Sequence, residues 1–396
     1  MKKFLLVILD GAAEKCTTHG VRQSAASALA AAKKPNLDML AANSNCGLWS
    51  GPHAPRADQH TGFNPRSMSS LATLEILGYS YKDEPGRGYL EALGIGLKPS
   101  KNSLYIRGNF ASVKGKKIID RRAGRDETGM NALVSEINKK IRSINGIKIR
   151  LYRAFGHRLV LVLAGSGLSK YISDGDYGSN AEKIKPLHPS AKKTASILNE
   201  FLNKSRDILS SHKVNKKRKI PANFILLRSA GAQQKVKSFQ QKFSMKACSI
   251  SGVSIIRGTS RYLGIDVIGV PSSQVEDDLE LRAAKAVDAL EKYDFVVLHI
   301  NGADTYAHNR DFNGKVKYIE KIDREVFSRI IKLRHINIVV ISDHITNSKT
   351  GEHMFGPVPF LVYSPDEDNG EQHKFDEKNC ERSFVADNPM KKILSV

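Results

Sequence analysis

Cysteine is scarce in this sequence of 396 residues: only four occur, and no two of them form a CxxC pair. This scarcity argues against both a disulfide framework and a zinc ribbon. No stretch approaches the roughly 18 consecutive apolar residues that a transmembrane helix needs. The apolar run Phe4–Leu9 is shorter than the core of a signal peptide, and Asp10 follows it directly. We therefore expect a soluble protein of the cytoplasm with no membrane partner.

Acidic residues are also in deficit, with 40 Asp and Glu against 62 Lys and Arg, which gives a net charge of +22. Much of the surplus lies in the segment 181–250, which has 16 basic and 3 acidic residues. Nucleic-acid binding usually requires aromatic side chains interleaved with positive charge. This segment contains only four aromatic residues, and none lies within its densest basic run, Lys213–Lys219. The pattern favours a solvated basic face with weak affinity for polyanions over a nucleic-acid site, and an anionic small substrate fits it equally.

The hydrophobic content of 41% is ordinary for a globular protein, and the length suits two domains. Four short apolar runs have the character of buried strands: Phe4–Leu9, Asp294–Ile300, Ile336–Ser342 and Val358–Tyr363. Between the second and third runs, Lys315–Leu333 has apolar residues at three- and four-residue spacing, which predicts an amphipathic helix. Buried strands alternating with a helix predict an α/β fold, a doubly wound sheet with helices on both faces.

Both ends of the chain contribute strands to this sheet, so we expect the middle to be an insertion. The predicted core domain comprises residues 1–105 and 262–396, and a smaller α+β lobe comprises residues 106–261. Polar, helix-compatible sequence surrounds Ala191–Ser210. The strand candidates of the middle region are Ser103–Arg107, Arg158–Leu163, Asn223–Arg228 and Gly264–Val270.

Carboxylate and imidazole side chains follow three of the predicted core strands and precede the last. The carboxyl ends of parallel strands meet at the edge where open α/β sheets bind ligands. Any one such histidine is more often structural, but a convergent set without thiolate suits Mn²⁺, Mg²⁺, Zn²⁺ or Fe²⁺ at a hydrolytic or phosphoryl-transfer centre. The pattern favours a site for two metal ions. The candidate ligands are Asp10, Asp304, His308, Asp343, His344 and His353.

Two adjacent serines, Ser69 and Ser70, open a stretch of helical character that stops at Gly78. One interpretation is a serine that caps the helix N-terminus. The other is a serine nucleophile at that position, where backbone N–H groups and the helix dipole favour phosphate. No GxSxG elbow surrounds the serines, so a Ser-His-Asp triad is not indicated. A bound metal ion could activate such a hydroxyl by lowering its pKa.

Longer motifs extend this pattern over nearly the whole chain. They include VILDG, AAKKPNLDMLA, LGYSYKDEPGRGYLEALGIGL, GNFASV, DRRAGR, GHRLVLVLAGSGLSKYISDGD, PANFILLRSAG and RGTSRYLGIDVIGVP. Together with the Asp and His motifs, this series resembles the archaeal type of cofactor-independent phosphoglycerate mutase, in the alkaline phosphatase superfamily. PGRGYLEALG and DRRAGR are the most specific pieces, whereas the metal motifs alone indicate only the superfamily.

The resemblance implies an alkaline-phosphatase-like core and a reaction. The reaction is the interconversion of 3-phosphoglycerate and 2-phosphoglycerate in glycolysis and gluconeogenesis, through a phosphoserine and without 2,3-bisphosphoglycerate. Ser69 would be the nucleophile, and two divalent metal ions would be bound. Mn²⁺ is the expected ion, with Mg²⁺, Zn²⁺ and Co²⁺ as alternatives. Motif matching gives one ion to Asp10, Ser69, Asp343 and His344, and the other to Asp304, His308 and His353.

The resemblance also implies where the small phosphorylated carboxylic acid substrate binds. The family's substrate contacts are largely arginines of the inserted lobe, and planar guanidinium groups suit carboxylate and phosphate better than lysine does. Some members of the family are oligomers, so a homo-oligomer is a further expectation. The matching positions are Arg121, Arg122, Arg125, His157, Arg158 and Arg261.

The sequence departs from the family pattern near the metal ligands. The nucleophile motif is usually Gly-Ser-Asp with a histidine four residues after the serine, but here Ser70 and Thr73 occupy the last two of those positions. Asn301 stands at the position where the family has a lysine. Asn309 and Arg310 stand where the family has a Gly-Asp pair. Two alternatives therefore stay open. One is a metal-dependent phosphatase or phosphotransferase of the same superfamily acting on another phosphorylated metabolite, and the other is a degenerate member that binds polyanions.

Overall fold

The structure is a computed structural model that describes residues 2–14, 26–53, 68–271, 278–366, 374–381 and 384–396. Within these residues, no helix is both long and apolar enough to cross a membrane. The strands are β1 (Lys3–Leu9), β2 (Asn45–Trp49), β3 (Ser103–Lys114), β4 (Lys117–Asp120), β5 (Ser143–Ile144), β6 (Ile147–Arg153), β7 (Arg158–Ala164), β8 (Asp176–Tyr177), β9 (Asn180–Ala181), β10 (Phe224–Ala232), β11 (Ala247–Ile250), β12 (Asp266–Ile268), β13 (Phe295–Ile300), β14 (Ile336–Ser342), β15 (Ile345–Asn347), β16 (Glu352–Met354), β17 (Val358–Tyr363) and β18 (Val385–Ala386).

Helices of very different length connect these strands. Short 3-10 helices also occur at Tyr81–Asp83, Ala123–Arg125 and Pro189–Ala191. The α-helices are α1 (Ala28–Ala31), α2 (Pro35–Ala42), α3 (Met68–Ile76), α4 (Arg87–Gly94), α5 (Met130–Lys140), α6 (Lys192–Ser211), α7 (Lys213–Lys217), α8 (Phe239–Phe243), α9 (Ser254–Tyr262), α10 (Leu279–Ala289), α11 (Gly302–His308), α12 (Phe312–Ile322), α13 (Ser328–Ile330), α14 (Glu377–Cys380) and α15 (Pro389–Ile393).

The chain divides into two compact units. The first contains the described residues of 1–54, 66–83 and 236–396, and the second is described over residues 84–235. The boundaries predicted from the sequence, after residue 105 and after residue 261, lie further along the chain. The difference arises because α4 packs on β3 and β10 of the second unit, whereas β11 pairs with β13 of the first.

The first unit is built on one sheet with the strand order β12-β11-β13-β1-β14-β17-β2-β18. Its strand β1 pairs in parallel with β13 on one side and β14 on the other. The apolar run of β1 suits this position because side chains on both of its faces are buried. Alternate residues of β1 enter two separate apolar clusters, each completed by helices, so the predicted doubly wound α/β sheet is confirmed. These residues are Leu5, Val7 and Leu9 on one face and Phe4, Leu6 and Ile8 on the other.

The last of the core strands predicted from the sequence runs in the opposite direction to its neighbour, since β17 pairs antiparallel with β14. An apolar run does not encode strand direction, because a strand buried on both faces has the same composition either way. The pairing of Ile341 with Phe360 puts the start of β17 beside the end of β14. The segment that precedes β17, which contains His353, therefore lies at the edge where β14 ends.

The predicted amphipathic helix at Lys315–Leu333 is formed by α12, a π turn at Asp323–Phe327 and α13. The helix begins after Asp311, whose side chain accepts a hydrogen bond from the Gly314 N–H at 2.8 Å and so caps the first turn. Its apolar stripe is buried in the core of the first unit, which explains the spacing seen in the sequence.

The second unit contains a sheet with the order β5-β6-β7-β3-β4-β9-β8, in which β10 also pairs with β3. Residues alternate between the two faces of β3. Leu104, Ile106 and Phe110 belong to the apolar cluster that α5 and α6 complete, whereas Arg107 and Asn109 are on the opposite face. Helix α4 approaches β3 at Gly88, where a Cβ would overlap the carbonyl oxygen of Tyr105.

Candidate functional site

Asp10 and the pair Asp343-His344 follow the adjacent parallel strands β1 and β14, so all three lie at the same edge of the sheet. The backbone N–H of Gly11 donates to Asp343 Oδ1 at 2.9 Å. His344 Nε2 lies 3.3 Å from Asp10 Oδ1 and 3.4 Å from Asp343 Oδ2. All three side chains are buried. Three candidate metal ligands are therefore neighbours.

Ser69 lies in the first turn of α3, and its Oγ is 3.2 Å from His344 Nε2. Thr73, one turn further along, donates its hydroxyl to the backbone carbonyl of Ser69 at 2.7 Å. The Ser69 hydroxyl is thus close to the imidazole that also contacts both carboxylates. Thr73, which occupies the family's histidine position, uses its hydroxyl within its own helix.

Asp304, His308 and His353 form a second group at the same edge of the sheet. Asp304 and His308 share one face of α11, and His308 Nε2 lies 3.3 Å from Asp304 Oδ2. His353, on β16, places its Nε2 at 2.9 Å from His308 Nε2 and 3.9 Å from Asp304 Oδ1. His308 Nδ1 lies 2.7 Å from the carbonyl oxygen of Gly351, which can accept its proton and leave Nε2 turned toward Asp304.

Thr346 connects the two groups. Its hydroxyl donates to Asp304 Oδ1 at 2.8 Å, and its oxygen lies 3.1 Å from His344 Nδ1. Because the hydroxyl proton is used for Asp304, the oxygen can only accept from a protonated Nδ1. In neutral His344 this leaves the Nε2 lone pair available. A Cβ on Gly11, which has a φ of +61°, would come within 2.7 Å of the Thr346 hydroxyl, so only glycine fits this approach.

His299 is a further residue of the cluster that was not among the sequence candidates. It belongs to β13, is fully buried, and its Nε2 lies 3.4 Å from Asp10 Oδ2. Burial, followed by the positive charge of Arg282, lowers the pKa of His299 to about 3, so the ring is neutral at pH 7. The sequence feature that could have indicated His299 is a histidine inside an apolar run, because packing alone does not require an imidazole there.

The pKa values of the acidic groups reflect their crowding. Burial raises the pKa of Asp10 well above its usual range, and the charge of Asp343 raises it further. Burial also raises the pKa of Asp343. Burial acts against protonation of His344, but Asp343 and Asp10 outweigh it and raise the pKa of this histidine to about 9. Burial likewise opposes ionisation of Asp304, yet the facing histidines lower its pKa. Negative charge is therefore concentrated where little solvent can screen it.

This donor set fits divalent cations. Asp10 Oδ1 and Asp343 Oδ2 are buried, and neither makes a hydrogen bond of normal geometry within the described part of the chain. One set of potential ligand atoms, from Asp10, His299 and Asp343, lies within 4.8 Å of one another. A second set, from Asp304, His344 and His353, is equally close. Carboxylate and imidazole ligands without thiolate suit first-row divalent ions and Mg²⁺.

The second unit carries arginines on one face of its sheet. Arg107 of β3 lies directly opposite Arg228 of β10, and Arg158 of β7 lies opposite the residue two positions after Arg107. Glu91 Oε1 is 3.3 Å from Arg87 Nε and 3.9 Å from Arg107 Nε. Burial lowers the pKa of Arg107 well below its usual range, and the charge of Arg87 lowers it further. We call Arg87, Arg107, Arg122, Arg125, Arg158 and Arg228 the arginine cluster.

Four of the sequence candidates are in or beside the arginine cluster. Burial, and then the charges of Arg158 and Arg122, lower the pKa of His157 to about 3, so His157 is neutral at pH 7. Burial, followed by Arg125, lowers the pKa of Arg122. Arg87, Arg107 and Arg228 were not sequence candidates. The sequence feature that could have indicated Arg107 is a charged residue directly after the apolar residues at the start of β3.

Two of the residues predicted to contact substrate, Arg121 and Arg261, lie outside the arginine cluster. Arg121 forms an ion pair with the buried Asp176, whose Oδ1 also lies 2.8 Å from Arg228 Nε. Arg261, predicted at the end of the inserted lobe, belongs instead to the first unit. It lies on α9, which follows β11 of the first sheet and packs against α3. Its neighbour Arg257 has a pKa lowered by burial and then by Arg261.

An α/β sheet with carboxylates and imidazoles at its strand ends is the arrangement of metal-dependent phosphoryl-transfer enzymes of the alkaline phosphatase type. The family model described as 2,3-bisphosphoglycerate-independent phosphoglycerate mutase matches residues 58–215. A protein of that description from Archaeoglobus fulgidus is 34% identical over 394 residues, covering 94% of this chain and 91% of the relative. Another, from Saccharolobus solfataricus, is 36% identical over 379 residues, covering 92% of this chain and 88% of the relative.

Solved structures give the same result. The cofactor-independent phosphoglycerate mutase of Thermoplasma acidophilum has a TM-score of 0.65 and 31% identity, covering 100% of this chain and 99% of that structure. A Pyrococcus horikoshii protein has a TM-score of 0.78 and 25% identity, covering 100% and 97% respectively. This chain belongs to the 2,3-bisphosphoglycerate-independent phosphoglycerate mutase family. The predicted enzyme family and its alkaline-phosphatase-like fold are confirmed.

Proposed function

We propose that the chain interconverts 3-phosphoglycerate and 2-phosphoglycerate through a phosphoserine at Ser69. The observation that carries this proposal is the position of Ser69 Oγ, 3.2 Å from His344 Nε2 and next to the buried carboxylates of Asp10 and Asp343. The relatives from Archaeoglobus fulgidus and Saccharolobus solfataricus support it, since both are described as mutases of this family.

In the proposed reaction, the bond between phosphorus and the C3 oxygen of 3-phosphoglycerate breaks as a bond to Ser69 Oγ forms. The C3 oxygen takes up the proton that the Ser69 hydroxyl loses, so the bound glycerate has a hydroxyl at both C2 and C3 while Ser69 carries the phosphoryl group. The reverse transfer forms a bond to the C2 oxygen and regenerates the Ser69 hydroxyl. No second phosphorylated cofactor is needed because the same phosphoryl group leaves and returns.

We assign the binding of two divalent cations to the side chains at the strand ends of the first unit. When bound, the ions would neutralise charge on the phosphoryl oxygens and lower the pKa of the Ser69 hydroxyl. Thr346 and His299 contact these side chains and orient them. Mn²⁺ is still the ion that we predict from the family resemblance. The assigned ligands are Asp10, Ser69, Asp343 and His344 for one ion and Asp304, His308 and His353 for the other.

We assign substrate binding to the arginine cluster and His157. Guanidinium groups bind carboxylate and phosphate through paired hydrogen bonds. His157, with a pKa of about 3, is neutral at pH 7 and can donate a hydrogen bond without adding charge. A mutase must hold glycerate while Ser69 is phosphorylated, because loss of glycerate leaves only hydrolysis. Arg121 would orient Arg228 through their shared partner Asp176, and a role for Arg261 stays a prediction.

A phosphatase or phosphotransferase acting on another phosphorylated metabolite is the second candidate. The observation that favours it is the hydrogen bond from the Thr73 hydroxyl to the Ser69 carbonyl. Thr73 stands where the family has a histidine, and its hydroxyl is used within its own helix. Asn301, in the family's lysine position, adds no positive charge. Removing one preorganised charge-stabilising donor from a transition state costs about 2.7–4 kcal/mol. A slower transfer from Ser69 to glycerate would give water more time to hydrolyse the phosphoserine.

Mass spectrometry of the protein incubated with Mn²⁺ and 3-phosphoglycerate tests the nucleophile directly. We expect phosphate on Ser69, none in Ser69→Ala, and phosphate still on Ser69 in the matched neighbour variant Ser70→Ala. An enolase-coupled assay then separates the two functions. Production of 2-phosphoglycerate supports the mutase, whereas release of inorganic phosphate alone supports the phosphatase. Phosphate on a residue other than Ser69 would contradict the assignment of the nucleophile.

A cytoplasmic location and a homo-oligomeric state stay predictions of the family resemblance. Gel filtration with light scattering of the full chain measures the oligomeric state. A mass of one chain, 43.7 kDa, would contradict it.

A further inference from the structure

A cleft of about 1280 Å³ lies entirely within the second unit, and its charged lining is all of one sign. Its lining contains five cationic side chains and no Asp or Glu. They come from four places in the fold: the segment after α4, the end of α5, the turn before β5, and β6. The cations are Lys98, Lys139, Arg142, Lys148 and Arg150.

None of these five side chains forms an ion pair with a carboxylate in the part of the chain that the structure describes. Among the described residues, none of the five is within 4.0 Å of a carboxylate oxygen, although other surface cations of the unit are paired. The nearby Glu136 pairs with Lys140, at 3.0 Å, rather than with a residue of the cleft. Like charges collected without counter-charges repel one another, and an exposed site of this kind attracts anions. Among the described residues, the cleft therefore has a surplus of positive charge, which Glu136 offsets only in part through its interaction with Lys139.

The floor of the cleft is partly apolar. Tyr105, Val134 and Ile149 are buried beneath it, and the Tyr105 hydroxyl accepts a hydrogen bond from the Ser100 N–H at 2.9 Å. Lys148 and Arg150 occupy alternate positions on β6, so their Cα atoms are about 7 Å apart on the same face. Cations repeated at this interval on a rigid strand can contact successive charged groups of one ligand.

The cleft is separate from the residues assigned to phosphoglycerate. No member of the arginine cluster lines it, and its own cations come from other positions on the unit. Its volume exceeds the roughly 300–1,000 Å³ of ordinary small-molecule pockets. A single small phosphate ester would leave most of the space and most of the cations unused.

We propose that this cleft binds an anion with several linked phosphate groups, and that this binding is distinct from the mutase reaction. The shared chemistry is a phosphate chain, which can come from inorganic tripolyphosphate or from a nucleoside triphosphate. Lysine and arginine side chains from separate elements can each contact a different phosphate. Single-stranded RNA is not favoured, because Tyr152 is the only partly exposed aromatic ring in the lining and Arg150 already lies 6.0 Å from its centroid.

Titration calorimetry of the full chain, treated with EDTA and kept at about 0.15 M salt, tests the proposal. The probes are inorganic tripolyphosphate, ATP and a short single-stranded RNA. The test variant is Lys148→Glu/Arg150→Glu. The matched control is Lys216→Glu/Lys217→Glu, which makes the same change in net charge on the exposed helix α7, outside the cleft.

We expect the test variant to weaken tripolyphosphate binding by at least about tenfold, since hydrogen bonds to charged groups are among the stronger ones, while the control changes it less than about twofold. Equal affinity for tripolyphosphate and ATP would identify the phosphate chain alone as the ligand, and tighter ATP binding would identify a nucleotide. Equal weakening in both variants, no binding, or binding of RNA alone would overturn the proposal.

Thermal unfolding of both variants shows whether each is folded. If the strand variant is not, Lys98→Glu/Lys139→Glu removes two cleft cations outside β6 and must give the same selective loss. Mutase activity without ligand should be unchanged in all of these variants, because no assigned catalytic or substrate residue is altered.

Discussion

The first unit contains a cluster of buried carboxylates, whereas the second contains a cluster of guanidinium groups that range from half-buried to exposed. Near Ser69, Asp10, Asp304 and Asp343 lie within a few ångströms of one another, and histidines only partly offset their charge. In the arginine cluster, Glu91 and Asp176 are the acidic partners of a larger number of arginines. The two clusters therefore have opposite surplus charge.

In both clusters burial shifts pKa values in the direction that removes charge, although facing charges reverse this for Asp304 and His344. Burial raises the pKa of Asp10 and Asp343 and lowers that of Arg107 and Arg158. Desolvation disfavours the charged form of any group, and neighbours of like charge add to the effect. A fold that needed only stability would pair or replace such groups. We therefore propose that cations bind the first cluster and an anion binds the second.

The largest expected effect is that of Asp343→Asn. Losing a ligand should cost several kcal/mol of transition-state stabilisation, which corresponds to roughly 10³-fold in kcat. The same change relieves repulsion among buried carboxylates, so the metal-free variant should unfold at the same temperature as the parent chain or a higher one. Coupled kinetics and thermal unfolding with and without Mn²⁺ measure both. If the variant is as active as the parent chain, or if Mn²⁺ stabilises it as strongly, the assignment of Asp343 as a metal ligand is contradicted.

Arg158→Lys tests the other cluster. The substitution keeps the positive charge but removes the planar group, so kcat/KM for 3-phosphoglycerate should fall roughly 10–100-fold if paired hydrogen bonds matter. Arg153→Lys is the matched control, because Arg153 is on the adjacent strand β6 and pairs with Glu127 instead of joining the cluster. Steady-state kinetics of both variants provide the measurement. Equal behaviour of the two variants would show that charge alone suffices.

Thr346→Val tests whether one hydroxyl holds the two groups of ligands in place. Valine has the same shape but cannot donate to Asp304 or accept from His344, so Mn²⁺ affinity should fall about 10–100-fold, as for other residues that orient metal ligands. Thr346→Ser keeps the hydroxyl and should restore most of that affinity. Calorimetric titration of the metal-free protein measures it, and similar affinities for the valine and serine variants would refute a positioning role.

The smallest expected effect concerns His157 and acid. Its pKa is about 3 in the folded chain because of burial and then the arginines, and near 6.5 when unfolded. The unfolded state therefore binds more protons, so folding stability falls as the pH drops below about 6.5. Between pH 6 and pH 5, His157→Gln should lose about 1 kcal/mol less stability than the parent chain. Urea unfolding at the two pH values measures this difference, and an identical loss would show that His157 is protonated in the folded state.

Much of the first unit could be predicted because its strands are continuous apolar runs. Parallel strands buried on both faces leave an unambiguous pattern, and the carboxylates and imidazoles that follow them stand out. The direction of β17 could not be predicted, because pairing direction depends on the whole sheet. His299 was not predicted either, because a single polar residue inside an apolar run produces no periodic pattern in the sequence.

The second unit was harder to predict. The face that we propose binds substrate is formed by single arginines on β3, β7 and β10, which are brought together by antiparallel register across distant parts of the chain. Motif resemblance indicated Arg122, Arg125 and Arg158 but not Arg107 or Arg228. The domain boundary also depends on packing of α4 against β3, a contact that no local pattern records.

Anomalous diffraction from crystals of the full chain grown with Mn²⁺ tests the central claim most directly. We predict two Mn²⁺ peaks, one bonded to Asp10, Ser69, Asp343 and His344, and the other to Asp304, His308 and His353. A structure in which Mn²⁺ binds elsewhere, or in which these seven side chains hold no metal at saturating concentration, would contradict the account.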